Sequence, residues 1–348
     1  MRLSLPFTLI LLLASGATAQ VPIPGQGSTG TRVAPRTSRA PNFEFRSNFW
    51  LNLHHFLYHQ ARLRPGATSP GGTPSLSGLA RNVQPVNVAE MTADEQKAWN
   101  EALDYYAANL SGRDLLFNGD MVNIKNRLVE WEKQPDVNLS GLRAELIAAL
   151  TKAAPIYRAR WWSEHDGANR TWIAAIEPRI AAMGEELGIR LATAYQSQWP
   201  AAAIGADVTY YANWAGAYTS DDPLHITLSS SDPRNQAEGA FEILYHEASH
   251  GLTRHVRDAI ARECRTRNKP IPRDLWHAVL FYTTGEMVRR ALAAQPRSTR
   301  DYVPYAYRHG LFTNAWPQFR PLLERHWQQY LDGRISFDSA VARIVNGL

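Results

Sequence analysis

Apolar residues recur at helical spacing over much of the N-terminal half. In "FEFRSNFWLNLHHFLYHQAR", Phe49, Leu53, Phe56 and Leu57 form one stripe. Thr92 opens "TADEQKAWNEALDYYAANL" with Glu95 three residues on, the signature of a capping box. Two further helical stretches follow, one carrying Pro155, where a bend or break is expected, and one carrying Pro178. Residues 42–186 therefore read as an all-helical layer. The texture then changes. Residues 189–196, 207–219 and 224–229 are rich in aromatic and β-branched residues and are separated by Pro, Gly and Asp, which predicts a small sheet. Asp232 and Pro233 then supply an N-cap and a first helical residue. They lead into the apolar stretch "FEILYHEASHGL", and a second apolar helix is expected over 274–292, with more helices over 301–348. The predicted fold class is α+β and mainly helical, a small sheet lying beside the helix of residues 241–252.

The rest of the sequence frames this core. The first 19 residues have a basic start, a short apolar run and Ala17-Thr18-Ala19, the layout of a cleaved secretory signal. Residues 20–41 form a flexible Pro/Gly/Ser/Thr leader, and a Pro/Gly-rich stretch over 62–90 is a candidate lid. The domain expectation is a helical layer over 42–200 and a catalytic region over 201–348. Export is expected, to the periplasm or the outside, with no membrane span in the mature chain. Cys264 is the sole cysteine, so no internal disulfide can form. The formal charge is +5 and scattered, without the basic stripe that nucleic-acid binding requires. Sequons occur at Asn109, Asn138 and Asn169.

His246, Glu247 and His250 form an H-E-x-x-H motif in an otherwise apolar helix. Residues four apart share a helix face, so both imidazoles can reach one ion, and zinc is the ion such a pair favours. Glu247 lies roughly 100° around the helix and can act as general base toward a water at that ion. A third ligand must come from elsewhere. His255 comes one residue too early for an H-E-x-x-H-x-x-G-x-x-H pattern and would point away. His277 and Glu286 share the second helix on opposite faces; Glu286, preceded by the small residues Thr283, Thr284 and Gly285, is favoured, with a salt bridge to Arg289 or Arg290 as its alternative role. Tyr282, one turn before Glu286, is a candidate oxyanion donor, as are Tyr307 and His309. Asn213 and Trp214 belong to a stretch, 210–219, expected to line a peptide-binding edge. His54, His55, His59 and the group around Trp161, Trp162, His165 and Asp166 could wall a cleft or hold a second metal, although packed core histidines are the simpler expectation.

With Glu286 as third ligand, the pattern resembles the gluzincin group of zinc metallopeptidases over roughly residues 205–290. That resemblance implies a zincin-like core, zinc held by His246, His250 and Glu286, Glu247 as general base, and a peptide or protein substrate. Two features depart from it: Arg290 stands where thermolysin-like members often carry an acidic residue, and the aminopeptidase G-x-M-E-N strand is missing. The expected activity is that of an exported zinc metallopeptidase. Hydrolysis of a non-peptide amide such as one in the cell wall, or a non-catalytic binding role, are the alternatives.

Overall fold

A computed structural model describes residues 42–64, 80, 82–295 and 301–348. The expected signal sequence and leader, and most of the candidate lid, lie outside the described residues. The fold is mainly helical with one four-stranded sheet. Strands β1 (Phe43–Arg46), β2 (Ile204–Thr209), β3 (Ala217–Asp221) and β4 (Leu224–Ser229) take the order β1-β2-β4-β3. β1, β2 and β4 run parallel; β3 pairs antiparallel with β4 and lies at the edge.

Alternation along these strands makes two different faces. Ile204, Ala206, Val208, Ala217, Ile226 and Leu228 are buried in an apolar core. That face is covered by α5 (Trp162–Ala194) and α6 (Ala237–Ser249). The opposite face presents Asp207, Tyr218, Ser220, His225 and Thr227, also buried. Over it lie α1 (Phe49–Arg62) and α3 (Gly119–Glu130), which, with α2 (Ala93–Asn109) and α4 (Ala144–Arg160), build a second apolar cluster. α7 (Arg254–Thr266) and α8 (Leu275–Ala293) follow the motif helix, and α8 packs along α6.

Several local expectations hold for physical reasons visible in the structure. Thr92 and Glu95 exchange both capping-box bonds at the start of α2. Asp232 caps a short 3-10 turn from Pro233, and α6 begins just beyond it. Other expectations change. Residues 189–194 continue α5 rather than forming a strand, because Leu187, Leu191 and Ala194 face the core as a helical stripe. Pro155 does not break α4; the helix continues to Arg160, held by the buried Ala153, Ala154, Ile156 and Tyr157. The N-terminal layer is not all helical, since β1 pairs with β2. Its apolar cluster also ends near Trp162: from Trp172 onward the buried apolar residues of α5 join the sheet-side core, while His165 and Asn169 still reach α4 and α1. The described residues belong to one compact unit, without a division at residue 200. No helix among them is long and apolar enough to cross a membrane.

Candidate metal centre

The motif helix is buried along nearly its whole length, from Gly239 to Ser249, between the sheet and α8. Burying imidazoles and a carboxylate there is costly unless they find partners. The imidazoles find each other. His246 and His250, one turn apart, have ring centroids separated by 5.1 Å, and His277 from the first turn of α8 lies 5.3 Å from each. The Nε2 atoms of His246 and His277 face one another at 3.3 Å. One ligand atom from each ring falls within 4.8 Å of the others, and among the described residues these three form the group able to hold a metal ion.

The surroundings favour neutral rings. Phe281 stacks on His246 at 3.7 Å, Trp276 stacks on His277 at 4.9 Å, and Trp316 meets His277 edge-on at 5.4 Å. Burial in this aromatic shell lowers the pKa of His250 to about 3 and of His277 to about 4, and takes His246 well below its ordinary value. Neutral imidazole is the form that binds metal. The donor set suits a divalent ion such as zinc: at Zn–N distances of about 2.0–2.1 Å, a tetrahedral site spaces its donors by roughly 3.4 Å. The buried Nδ1 of His246 has no hydrogen-bond partner among the described residues.

Glu247 flanks this cluster. Its Oε2 lies 3.8 Å from His250 Nε2 and accepts a hydrogen bond from the Thr219 hydroxyl at 2.7 Å. Burial raises its pKa to about 7, against the opposing effect of the Thr219 bond. Thr219 stands on β3, so the edge strand and the motif helix meet at this carboxylate.

Glu286, the expected third ligand, is placed differently. Its carboxylate is held by Arg289 (2.7 and 2.9 Å) and Arg290 (2.7 Å), with Gln328 at 3.4 Å. Burial pulls its pKa up, but the two arginine bonds outweigh that and hold it below the usual range. Tyr282 follows it to that side of α8, donating to Gln328 Oε1 at 2.8 Å. The reason is rotation: α8 turns His277 and Phe281, four residues apart, toward α6, and Tyr282 and Glu286 toward the C-terminal segment. His277 therefore takes the position expected of Glu286, and Phe281 the position beside the imidazoles expected of Tyr282. The small residues do mark close packing. A Cβ on Gly285 would come within 3.0 Å of Glu242 Oε1 on α6. This contact sits away from the histidines, beside a carboxylate bound by Tyr302 and the Tyr305 amide.

The remaining candidates have other settings. His255 lies on α7, past a break in the helix after Ser249, and packs on Phe337. Tyr307 donates to Glu324, and His309 packs on Tyr305. Asn213 closes a turn by accepting from the Ala215 amide, in a loop before β3. In that loop Gly216 adopts φ +85°, and a Cβ would strike Asp232. The exposed Trp214 sits in the same loop, which fills the first half of the stretch expected as an edge; β3 itself covers only 217–221.

The N-terminal histidines pin that loop and β3 to α1. His55 donates from Nδ1 to the Tyr211 carbonyl and pairs through Nε2 with the Tyr218 hydroxyl. His59 bonds the Ala212 carbonyl, and His54 pairs with Tyr106. His165 pairs through Nδ1 with the Tyr157 hydroxyl and stacks on Tyr210 at 3.9 Å. Asn169 is fully buried and bonded to Ser47, Asn52 and Ser230, so its sequon is inaccessible in the folded chain. Compared with known proteins, the chain matches no family model, no curated protein and no solved structure.

Proposed function

We propose that the chain is a metal-dependent hydrolase, and that its reaction is cleavage of a peptide bond by an activated water. The observation that carries this is the convergence of three neutral imidazoles, His246, His250 and His277, beside the buried carboxylate of Glu247. A structural metal site has no need of an unbonded carboxylate oxygen at its edge; a hydrolytic one does. Zinc is the ion proposed. When bound it supplies Lewis-acid polarisation of water and of the substrate carbonyl.

The chain's own groups do the rest. Glu247 takes a proton from the attacking water as its oxygen bonds to the carbonyl carbon. It then returns that proton to the amine nitrogen as the C–N bond breaks. Thr219 fixes the carboxylate on the side of β3. Phe281, Trp276 and Trp316 exclude bulk water from the imidazoles. The peptide preference rests on β3: it is a sheet edge beside Glu247, and an extended peptide can pair with such an edge. The donor set of three histidines differs from that of the gluzincins, so the proposal is a zincin-like hydrolase rather than a member of that group. Export through the N-terminal signal is part of the same proposal.

The test is Glu247→Gln. It should keep zinc at one ion per chain and lose roughly 10²–10⁴-fold in peptide hydrolysis. Unchanged hydrolysis would remove Glu247 from the mechanism.

A further inference from the structure

A cation stands beside the centre. Arg257, exposed on α7, lays its guanidinium over Trp276, with Cζ 3.8 Å from the ring centroid. Trp276 in turn stacks on His277 at 4.9 Å and meets His250 edge-on at 5.7 Å. Among the described residues no carboxylate pairs with Arg257. The neighbouring Arg254 lies 3.9 Å from Asp258, and Asp274 lies 3.7 Å from Arg273. Stacking on the indole fixes the guanidinium plane while leaving its edge donors free for an anion.

We propose that Arg257 is the recognition point for a substrate carboxylate, so that the enzyme prefers peptides bearing a carboxylate close to the scissile bond on its C-terminal side. Together these two distances place the Arg257 guanidinium no farther from the His277 ring than two to three residues of extended chain at about 3.4 Å each. A free C-terminus within a few residues of the bond cleaved can reach it. An acidic side chain at the same distance offers the same chemistry. The inference rests on the hydrolase proposed above.

The test uses the full-length zinc-loaded chain carrying Glu247→Gln, which should bind peptides without cutting them. N-acetylated tetrapeptides are titrated by calorimetry as the free acid, as the C-terminal amide, and as an amide with Asp at the last position. The free acid should bind about 10–100-fold more tightly than the amide, the range of a charge-assisted bidentate pair. Adding Arg257→Gln should reduce that ratio below about twofold, and Arg257→Lys should restore part of it. If the Asp-containing amide binds as the acid does, the carboxylate can come from a side chain; if it binds as the plain amide does, the C-terminus is its source. Equal affinity for all three peptides, absence of binding, or an acid preference that survives Arg257→Gln overturns the proposal. Its failure is separable from that of the hydrolase. Peptides cut by the native enzyme without acid preference sink only the role of Arg257, whereas Arg257-dependent acid binding without hydrolysis by the native chain sinks only the hydrolase.

Discussion

The Thr219 hydroxyl donates to Glu247 Oε2 at 2.7 Å and also lies 3.0 Å from the Glu247 carbonyl oxygen. One side chain on the edge strand thus orients the carboxylate and anchors the turn of helix that carries it. A hydrogen bond to a charged group contributes about 1.5–3 kcal/mol. Thr219→Val keeps the shape of the residue and removes that bond. Turnover of peptide should fall by about 10–100-fold, and the pH at which activity rises should move upward as ionised Glu247 loses its donor. Zinc content should stay at one ion per chain. Kinetics across pH 5–9, together with metal analysis, check both parts.

Behind the sheet lies a buried polar chain. Lys125 Nζ bonds Ser220 Oγ at 2.5 Å and lies 3.4 Å from His225 Nδ1, while His225 Nε2 lies 2.9 Å from the fully buried Asp207. Burial lowers the pKa of Lys125 to about 8, opposed by the charge of Asp207. Removing one charge leaves the other exposed to the full cost of burial. Lys125→Met and Asp207→Asn should each destabilise the fold by about 3 kcal/mol, whereas the double variant should cost clearly less than their sum. Urea unfolding of the four proteins measures the coupling; strictly additive losses would mean that the two charges do not support each other.

Glu242, one turn before His246, accepts from the Tyr302 hydroxyl at 2.6 Å and from the Tyr305 amide at 2.9 and 3.0 Å. Burial raises its pKa to about 7 despite those bonds. A carboxyl whose folded pKa exceeds its unfolded value of 4.5 holds more protons in the folded chain between those limits. Its contribution to stability is therefore complete below about pH 4.5 and is lost as pH rises through 7. The stability of the native protein relative to Glu242→Gln should fall by about 1–3 kcal/mol between pH 5 and pH 8. Urea titrations at the two pH values check this, and a difference independent of pH would contradict it.

The parts of the site legible in the sequence are those set by local spacing. His246, Glu247 and His250 are fixed relative to one another by the pitch of one helix, whatever surrounds it. The third imidazole is not local. Choosing between His277 and Glu286 requires the rotation of α8 about its own axis, which tertiary packing sets. The small residues Thr283, Thr284 and Gly285 do signal a close approach, but their partners are Trp327, Tyr195 and Glu242 rather than the motif histidines. Two features of the sequence point the other way. Arginines three and four residues after Glu286 are placed to occupy its carboxylate, and the aromatics Trp276 and Phe281 bracket His277. The sheet shows the same division. β4 coincides with its expected span because a strict alternation ends in turn residues, whereas β1 is too short and too close to α1 to separate from a helical stripe. Its strand character comes from pairing with β2, some 160 residues away.

The central claim is that three imidazoles, with His277 as the third, hold the ion. X-ray absorption at the zinc edge, with metal analysis of the same samples, tests it most directly. The native chain and Glu286→Gln should each bind one zinc per chain with the same spectrum, showing scattering from three imidazoles at a Zn–N distance of about 2.0–2.1 Å. His277→Ala should lose one imidazole from the spectrum and weaken zinc retention against a chelator. A His277→Ala spectrum identical to the native one, or loss of a ligand in Glu286→Gln instead, would contradict the account.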